Sequence, residues 1–440
     1  MKYSHTQIQY DTLLSRNNDN RNAITNALCK HKTFIVFILL VFSVDAVVSH
    51  YLFQMSITFI TWLHTHAYYL SPIAKVFSFL ATDKFIFITL LLMYNCYSMY
   101  TVFILLLAIL SSAFCGGALK LMYLSPRPFM FDTAVQPLSC EGGFGNPSNH
   151  AVCATCFYLT LYELTLANSE RLPPASKLKL KQLTIVLITC ICFSRIFLAV
   201  HSIDQVLFGC CVGGAVYYCL FHIAQLQHNN AQQVLMLVIY NGKRYITCIL
   251  VIIAISFIPA VMFDLNKALY VQWNEVLETK CKELPMAKRF EYESYTCILC
   301  LSVMISAYLG ISYEYYYTFK GDVAKWMRYN FDNNNDNDAY IDVSLLMNDN
   351  DNDNTRWNKT NESNLNIKRF CVIILCCGVL MLPHVLISYE RSYSIVIVFK
   401  ILLPLYVVTF LMFSFMKTLC RLCSCTNVRL YIMKEPNDVI

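Results

Sequence analysis

The residues of this chain that could do chemistry fall in three short segments: Lys120–Pro128 (KLMYLSPRP), Pro147–His150 (PSNH) and Ser194–His201 (SRIFLAVH). Each lies at the end of a strongly apolar stretch. Lys120 and Arg127 are seven residues apart, about two helical turns. Pro126 and Pro128 argue against a continuous helix as far as Arg127. Two cations there need an anion, unless they only snorkel from a helix end. In the second segment Gly142, Gly143 and Gly145 lead into Pro147, and Ser148, Asn149 and His150 open an apolar run. Proline and serine suit a helix start, whose free N–H groups attract anions. In the third, Arg195 sits near the end of an apolar run, where an arginine needs a cavity or a partner. His201 follows it, with a nitrogen able to attack phosphorus when neutral. Three cations can hold a phosphate while two histidines divide the work of nucleophile and acid.

Apolar helices must position these groups. The chain has 440 residues, of which 57% are apolar and 14% charged. That composition excludes an ordinary soluble domain. Apolar runs of membrane-crossing length place spans at Thr33–Phe53, Phe79–Asn95, Thr101–Leu119, Ala151–Ala167, Leu183–Val200, Val206–Gln225, Tyr245–Phe263, Tyr295–Thr318, Phe370–Tyr389 and Ile395–Phe415, about ten helices in all. The net charge of +6 is spread over short clusters beside these runs. No basic stripe interleaved with aromatics suggests nucleic acid.

Clusters at Arg16–Lys32, Arg171–Lys181, Lys243–Arg244 and Lys417–Lys434 share one side if the spans alternate. The positive-inside rule makes that side cytosolic and puts the three chemical segments on the lumenal or extracellular face. The lysine-bearing loop Asp264–Glu293 dissents, since it also falls outside. Met1–Lys32 reads as a cytosolic tail before an uncleaved first span. The Asn/Asp-rich stretch Asp322–Ser363 reads as a disordered cytosolic loop. It is not an EF-hand, because Asn354 and Thr360 occupy the required glycine and glutamate positions.

Taken together, Lys-x6-Arg-Pro, Pro-Ser-x-His and Ser-Arg-x5-His resemble the tripartite signature of the type 2 phosphatidic acid phosphatase (PAP2) superfamily. That superfamily includes lipid phosphate phosphatases, sphingoid-base phosphate phosphatases and glucose-6-phosphatase. The resemblance implies an all-α polytopic membrane protein, with a PAP2-like six-helix core and about four extra C-terminal helices. The expected organisation is a tail at 1–32, the catalytic membrane core at 33–228, further membrane helices at 229–318, the Asn/Asp-rich loop at 319–368, and C-terminal helices and tail at 369–440.

The resemblance also implies roles. His201 is the nucleophile, forming a phosphohistidine, and His150 protonates the leaving oxygen. Lys120, Arg127, Arg195, Ser148 and Asn149 hold the phosphate. No metal or cofactor is expected, because cations and a helix start already surround the charged oxygens.

Two residues depart from the family pattern. Asn149 stands where glycine is usual, a feature shared with sphingoid-base phosphate phosphatases. Gln205 stands where an aspartate usually orients the nucleophile, as in glucose-6-phosphatase. Asp204, one residue earlier, points about 100° away on a helix, whereas Gln205 can accept the Nδ1 proton. The implied activity is hydrolysis of a lipid phosphate, a sphingoid-base phosphate or phosphatidate, at an endoplasmic reticulum or other endomembrane. A sugar phosphatase resembling glucose-6-phosphatase and a catalytically silent relative are the alternatives.

Other residues carry lesser expectations. Asp45 and Glu163, inside spans, are functional acids or hydrogen-bonded structural ones, and Lys400 in the tenth span reads likewise. Trp62, His64, His66 and Tyr69 are interfacial loop residues. Gly116, Gly117, Gly213 and Gly214 permit close helix packing. Cys140 and Cys281 are the two cysteines in outer loops and could form a disulfide. Cys420, Cys423 and Cys425 suit palmitoylation.

Overall fold

The computed structural model describes residues 31–96, 99–167, 173–223, 247, 267–281, 290–318, 320–321 and 403–414. These are helical, without strands. In order they form α1 (Lys32–Ala67), α2 (Ser71–Phe79), α3 (Asp83–Cys96), α4 (Met99–Tyr123), a short α5 (Pro128–Phe131), α6 (Asn149–Ala167), α7 (Pro174–Phe197), α8 (Ile203–Tyr218), α9 (Lys267–Lys280), α10 (Phe290–Tyr313) and α11 (Leu403–Ser414). Five helical stretches among the described residues are long and apolar enough to cross a membrane: α1 with α2, α4 with α5, α7, α8 with the turn after it, and α10. The protein is an integral membrane protein. The seventh and ninth expected spans, the N-terminal tail, the Asn/Asp-rich loop, Lys400 and Cys420–Cys425 lie outside the described residues.

The centre of the bundle is α6, packed against α4, α7 and α8. α1 lies along α8, while α10 packs on α4 and α11. Backbones approach closely where side chains are missing. A Cβ added at Gly213 of α8 would run into the Val152 carbonyl of α6, and one at Gly209 would lie 2.9 Å from the Ser148 carbonyl. On α4, Gly116 makes room for the Asn149 side chain, and Gly117 faces Cys297 of α10. Gly214 differs from its expected packing role, since it faces open space.

Three local expectations change. α1 runs 36 residues, about 54 Å at 1.5 Å per residue, well past the expected end of its span. Hydropathy marks the lipid-facing part of a helix, and nothing in residues 54–67 breaks the helix before Pro72. Trp62, His64 and His66 are therefore helical, with Trp62 stacked on His66 and His64 Nε2 bonded to the Phe197 carbonyl at 2.7 Å. Phe79 ends α2 rather than opening the next helix. The outer segment expected as a loop contains α9.

The intramembrane acids are partnered. Asp45 of α1 accepts a hydrogen bond from Asn146 Nδ2 at 3.5 Å, so α1 supports the segment leading into Pro147. Tyr217 of α8 donates to Glu163 of α6 at 2.6 Å.

Candidate active site

The three chemical segments meet at one end of the bundle, where α4 and α7 finish and α6 and α8 begin. Lys120 is in the last turn of α4 and is buried. α4 stops at Tyr123, and Arg127 stands extended at the head of α5 (φ −87°, ψ 157°), as the flanking prolines require. Arg127 is held by backbone carbonyls. Nε donates to Gly142 and Gly143 at 3.1 Å, Nη2 to Gly142 at 2.6 Å, and Nη1 to Val200 at 3.0 Å. The glycine loop thus folds round the guanidinium and fixes its plane.

Arg127 Nη1 also lies 3.0 Å from His201 Nε2. Arginine has no acceptor, so Nε2 carries the lone pair. The Nδ1 proton then goes to the Gly145 carbonyl at 3.0 Å and to Gln205 Oε1 at 3.2 Å. Both observations select one tautomer, the one whose outward nitrogen is nucleophilic. Gln205 is locked in turn. Its Nε2 donates to the Pro126 carbonyl at 2.8 Å, and its Oε1 accepts from the Ser202 N–H at 3.3 Å. That second bond closes a capping box on α8. Asp204 is buried but is not brought to the imidazole, whose Nδ1 is met by Gly145 and Gln205.

Arg195, in the last turn of α7, is completely buried. Its Nη1 meets the Ser78 hydroxyl of α2, while its Nε has no hydrogen-bond partner. His150 sits in the first turn of α6, and its Nε2 has no hydrogen-bond partner. The Ser148 hydroxyl is also buried and unpartnered. The Ser148 N–H is engaged by the Gln205 carbonyl at 3.0 Å, but the first-turn N–H groups after it have no partner within their helix. The Asn149 side chain turns toward Gly116 of α4. The bulk that replaces the usual glycine is therefore accommodated between helices.

Glu141 carried no expectation from the sequence. Its carboxylate pairs with Arg195 Nη2 at 2.5 Å and lies 3.6 Å from Arg127 Nη1 and 3.9 Å from His150 Nε2. It was discoverable only from the rule that buried arginines need an acid, and the sequence offers several. Burial alone would raise its pKa. Arg195, then His150 and Arg127, outweigh that and hold it well below the usual carboxylate range. The histidines move down too. Burial, then Arg195, lowers His150 to about 3, and burial, then Arg127 and Arg195, holds His201 well below its ordinary value. Both rings are therefore neutral near pH 7, as a nucleophilic histidine must be. A bound anion would favour the protonated form of His150.

The loop carrying Glu141 is tied to α9. Cys140 forms a disulfide with Cys281, as the sequence suggested. The Lys280 ammonium lies 2.7–3.2 Å from the carbonyls of Phe129, Asp132, Thr133 and Val135. α9 therefore sits on the face of the chemical segments, and at least one of the lysines that dissented from the charge rule has a structural use there.

Part of the chain is similar to known proteins. Residues 101–229 match the PAP2 superfamily model, a stretch holding all the residues assigned above except Ser78 and those of α1 and α9. The dolichyldiphosphatase of Saccharomyces cerevisiae is 30% identical over 115 residues, covering 24% of this chain and 46% of that protein. The chain thus aligns with about half the length of that relative. The structure of a transmembrane PAP2-type phosphatidylglycerolphosphate phosphatase from Bacillus subtilis is 18% identical, covers 43% of this chain and 95% of its own, and superposes with a TM-score of 0.38. The cations, the helix start and the two imidazoles at the ends of α4, α6, α7 and α8 thus lie in a membrane protein whose residues 101–229 match the PAP2 superfamily model.

Proposed function

We propose that this protein is a membrane phosphatase acting on a lipid phosphate at the lumenal or extracellular face, through a phosphohistidine. The observation that carries the reading is the His201 tautomer. Nδ1–H is held by Gly145 and Gln205, and the Nε2 lone pair faces the Arg127 guanidinium. In this reading Nε2 attacks phosphorus as the bond to the leaving oxygen breaks, and His150 supplies that oxygen's proton. His150 then takes a proton from water, whose oxygen attacks the phosphohistidine and releases phosphate. Lys120, Arg127, Arg195, the Ser148 hydroxyl and the first-turn N–H groups of α6 face the developing charge, the main requirement of phosphoryl transfer.

Position favours a lipid substrate, since the assigned residues lie at the ends of membrane helices, where such headgroups reside. The name of the yeast relative specifies a dolichyl diphosphate, which belongs to the same broad class. The Cys140–Cys281 bond favours an oxidising compartment on this face, as in the endoplasmic reticulum lumen or outside the cell. The test is phosphate release from purified protein. The panel holds sphingoid-base phosphate, phosphatidate, dolichyl diphosphate and glucose 6-phosphate, with His201→Ala as control. Release lost in the variant supports the mechanism, and equal release by both would reject it. A preference for glucose 6-phosphate would select the sugar-phosphatase alternative, and no release from any ester the silent one.

A further inference from the structure

The Glu141 carboxylate sits on two of the cations assigned to the phosphate, Arg127 and Arg195. A phosphorus atom must come within about 3–3.5 Å of the attacking nitrogen. That nitrogen, His201 Nε2, is 3.0 Å from Arg127 Nη1. A phosphate in reach of it, with oxygens on both guanidinium groups, must place an oxygen between Arg127 and Arg195. The Glu141 carboxylate already lies there, 2.5 Å from Arg195 and 3.6 Å from Arg127. Both arginines also have contacts besides the acid. Arg127 is fixed by the carbonyls of Gly142, Gly143 and Val200, and Arg195 by Ser78. On the residues that touch the carboxylate, Arg195 Nε and His150 Nε2 are buried with no hydrogen-bond partner, and the Ser148 hydroxyl two residues before His150 is in the same state. A carboxylate with two oxygens leaves them unmet, and a tetrahedral phosphate brings more acceptors. The Glu141 side chain is 15% exposed, so it has a route outward while its backbone stays tied through Cys140.

We propose that Glu141 is a built-in competitor for the phosphate position, displaced when a substrate binds and returning to expel inorganic phosphate after hydrolysis. Glu141 is thus a specificity-determining residue. A lipid phosphate brings the additional binding of its tail and can displace the carboxylate. Free phosphate has only its charge, which the carboxylate matches on the same cations. The result is a site that favours the ester over its inorganic product. This inference deepens the phosphatase reading and rests on it.

The test is direct titration of detergent-purified full-length protein with inorganic phosphate, together with product inhibition of ester hydrolysis. Glu141→Gln should bind inorganic phosphate at least about tenfold more tightly, the scale on which one nearby like charge acts, and should show product inhibition at correspondingly lower phosphate. Glu141→Asp draws the carboxylate back by one methylene and should tighten binding to an intermediate degree. It also keeps the test open if the glutamine variant does not fold. Unchanged or weaker phosphate binding in whichever variants fold would overturn the inference. Active wild type with that result would leave the phosphatase reading intact. Inactive wild type with tighter binding in the variant would sink the phosphatase reading and keep Glu141 as an anion competitor.

Discussion

Gln205 offers the sharpest test of how the nucleophile is held. Replacing it by methionine keeps the length of the side chain and removes its three polar contacts: to His201 Nδ1 at 3.2 Å, to the Ser202 N–H at 3.3 Å and to the Pro126 carbonyl at 2.8 Å. Loss of the cap interaction on α8 costs about 1 kcal/mol, and the Pro126 carbonyl left without its donor costs about 1 kcal/mol more. Stability should fall by about 2 kcal/mol, read as a lower unfolding temperature in detergent. The kinetic effect is separate. His201 becomes cationic when its nitrogen bonds to phosphorus, and a hydrogen bond to a charged group contributes about 1.5–3 kcal/mol. Gly145 still accepts from Nδ1 at 3.0 Å, so the loss is limited to one of two acceptors. At about 1.4 kcal/mol per tenfold, kcat should fall about 10- to 100-fold with little change in KM. Gln205→Glu is the control. It retains an acceptor for Nδ1 but sets oxygen against oxygen at Pro126, so stability should suffer more than kcat. An unchanged kcat in Gln205→Met, with the expected loss of stability, would refute the argument and leave Gly145 as the sole orienting group.

Three further outcomes are expected. Because burial, followed by Arg195, puts His150 at about pKa 3 when folded, against about 6.5 unfolded, its contribution is fully present above pH 6.5. It is lost as pH falls toward 3, the unfolded chain being the form that takes up the proton. The unfolding temperature should therefore drop between pH 7 and pH 5, and His150→Asn should flatten that slope. Breaking the Cys140–Cys281 bond by the double serine substitution should cost about 2–4 kcal/mol, measured by thermal unfolding, after non-reducing peptide mapping establishes the link. Gly116→Ala should cost about 1–3 kcal/mol through overpacking against Asn149. Asn149→Gly should relieve that cost, and a double-mutant cycle measures the coupling.

Much of the site was legible because it lies at helix ends. Prolines around Arg127 mark where α4 must stop, and Pro147 with Ser148 marks where α6 begins. Alternation of the expected spans put Lys120, Arg127, His150, Arg195 and His201 on one face, and the family resemblance joined them into one site. The Gln205 acceptor was legible too, through the resemblance, as the residue in the place of the family's orienting aspartate. Backbone chemistry was hidden. Gly145 orients the nucleophile through its carbonyl, which any residue possesses, so no side-chain pattern announces it. Glu141 was hidden for a different reason. It sits in a glycine-rich turn, and its partner Arg195 is on a helix more than fifty residues later, so their pairing exists only once α7 has packed. The fit of Asn149 to Gly116 is likewise a relation between two helices. Read singly, the asparagine looked like an intrusion into the pocket and the glycine like generic packing.

The Cys140–Cys281 bond and the Lys280 ammonium have a practical consequence for anyone seeking a minimal catalyst. The family match ends at residue 229, which invites truncation there. A chain cut at that point would keep both histidines and all three cations, yet strand a thiol one residue from Glu141 and leave four carbonyls around an absent ammonium. α9 is thus a splint for the loop that carries Glu141. The smallest piece worth expressing as an enzyme extends at least through Cys281.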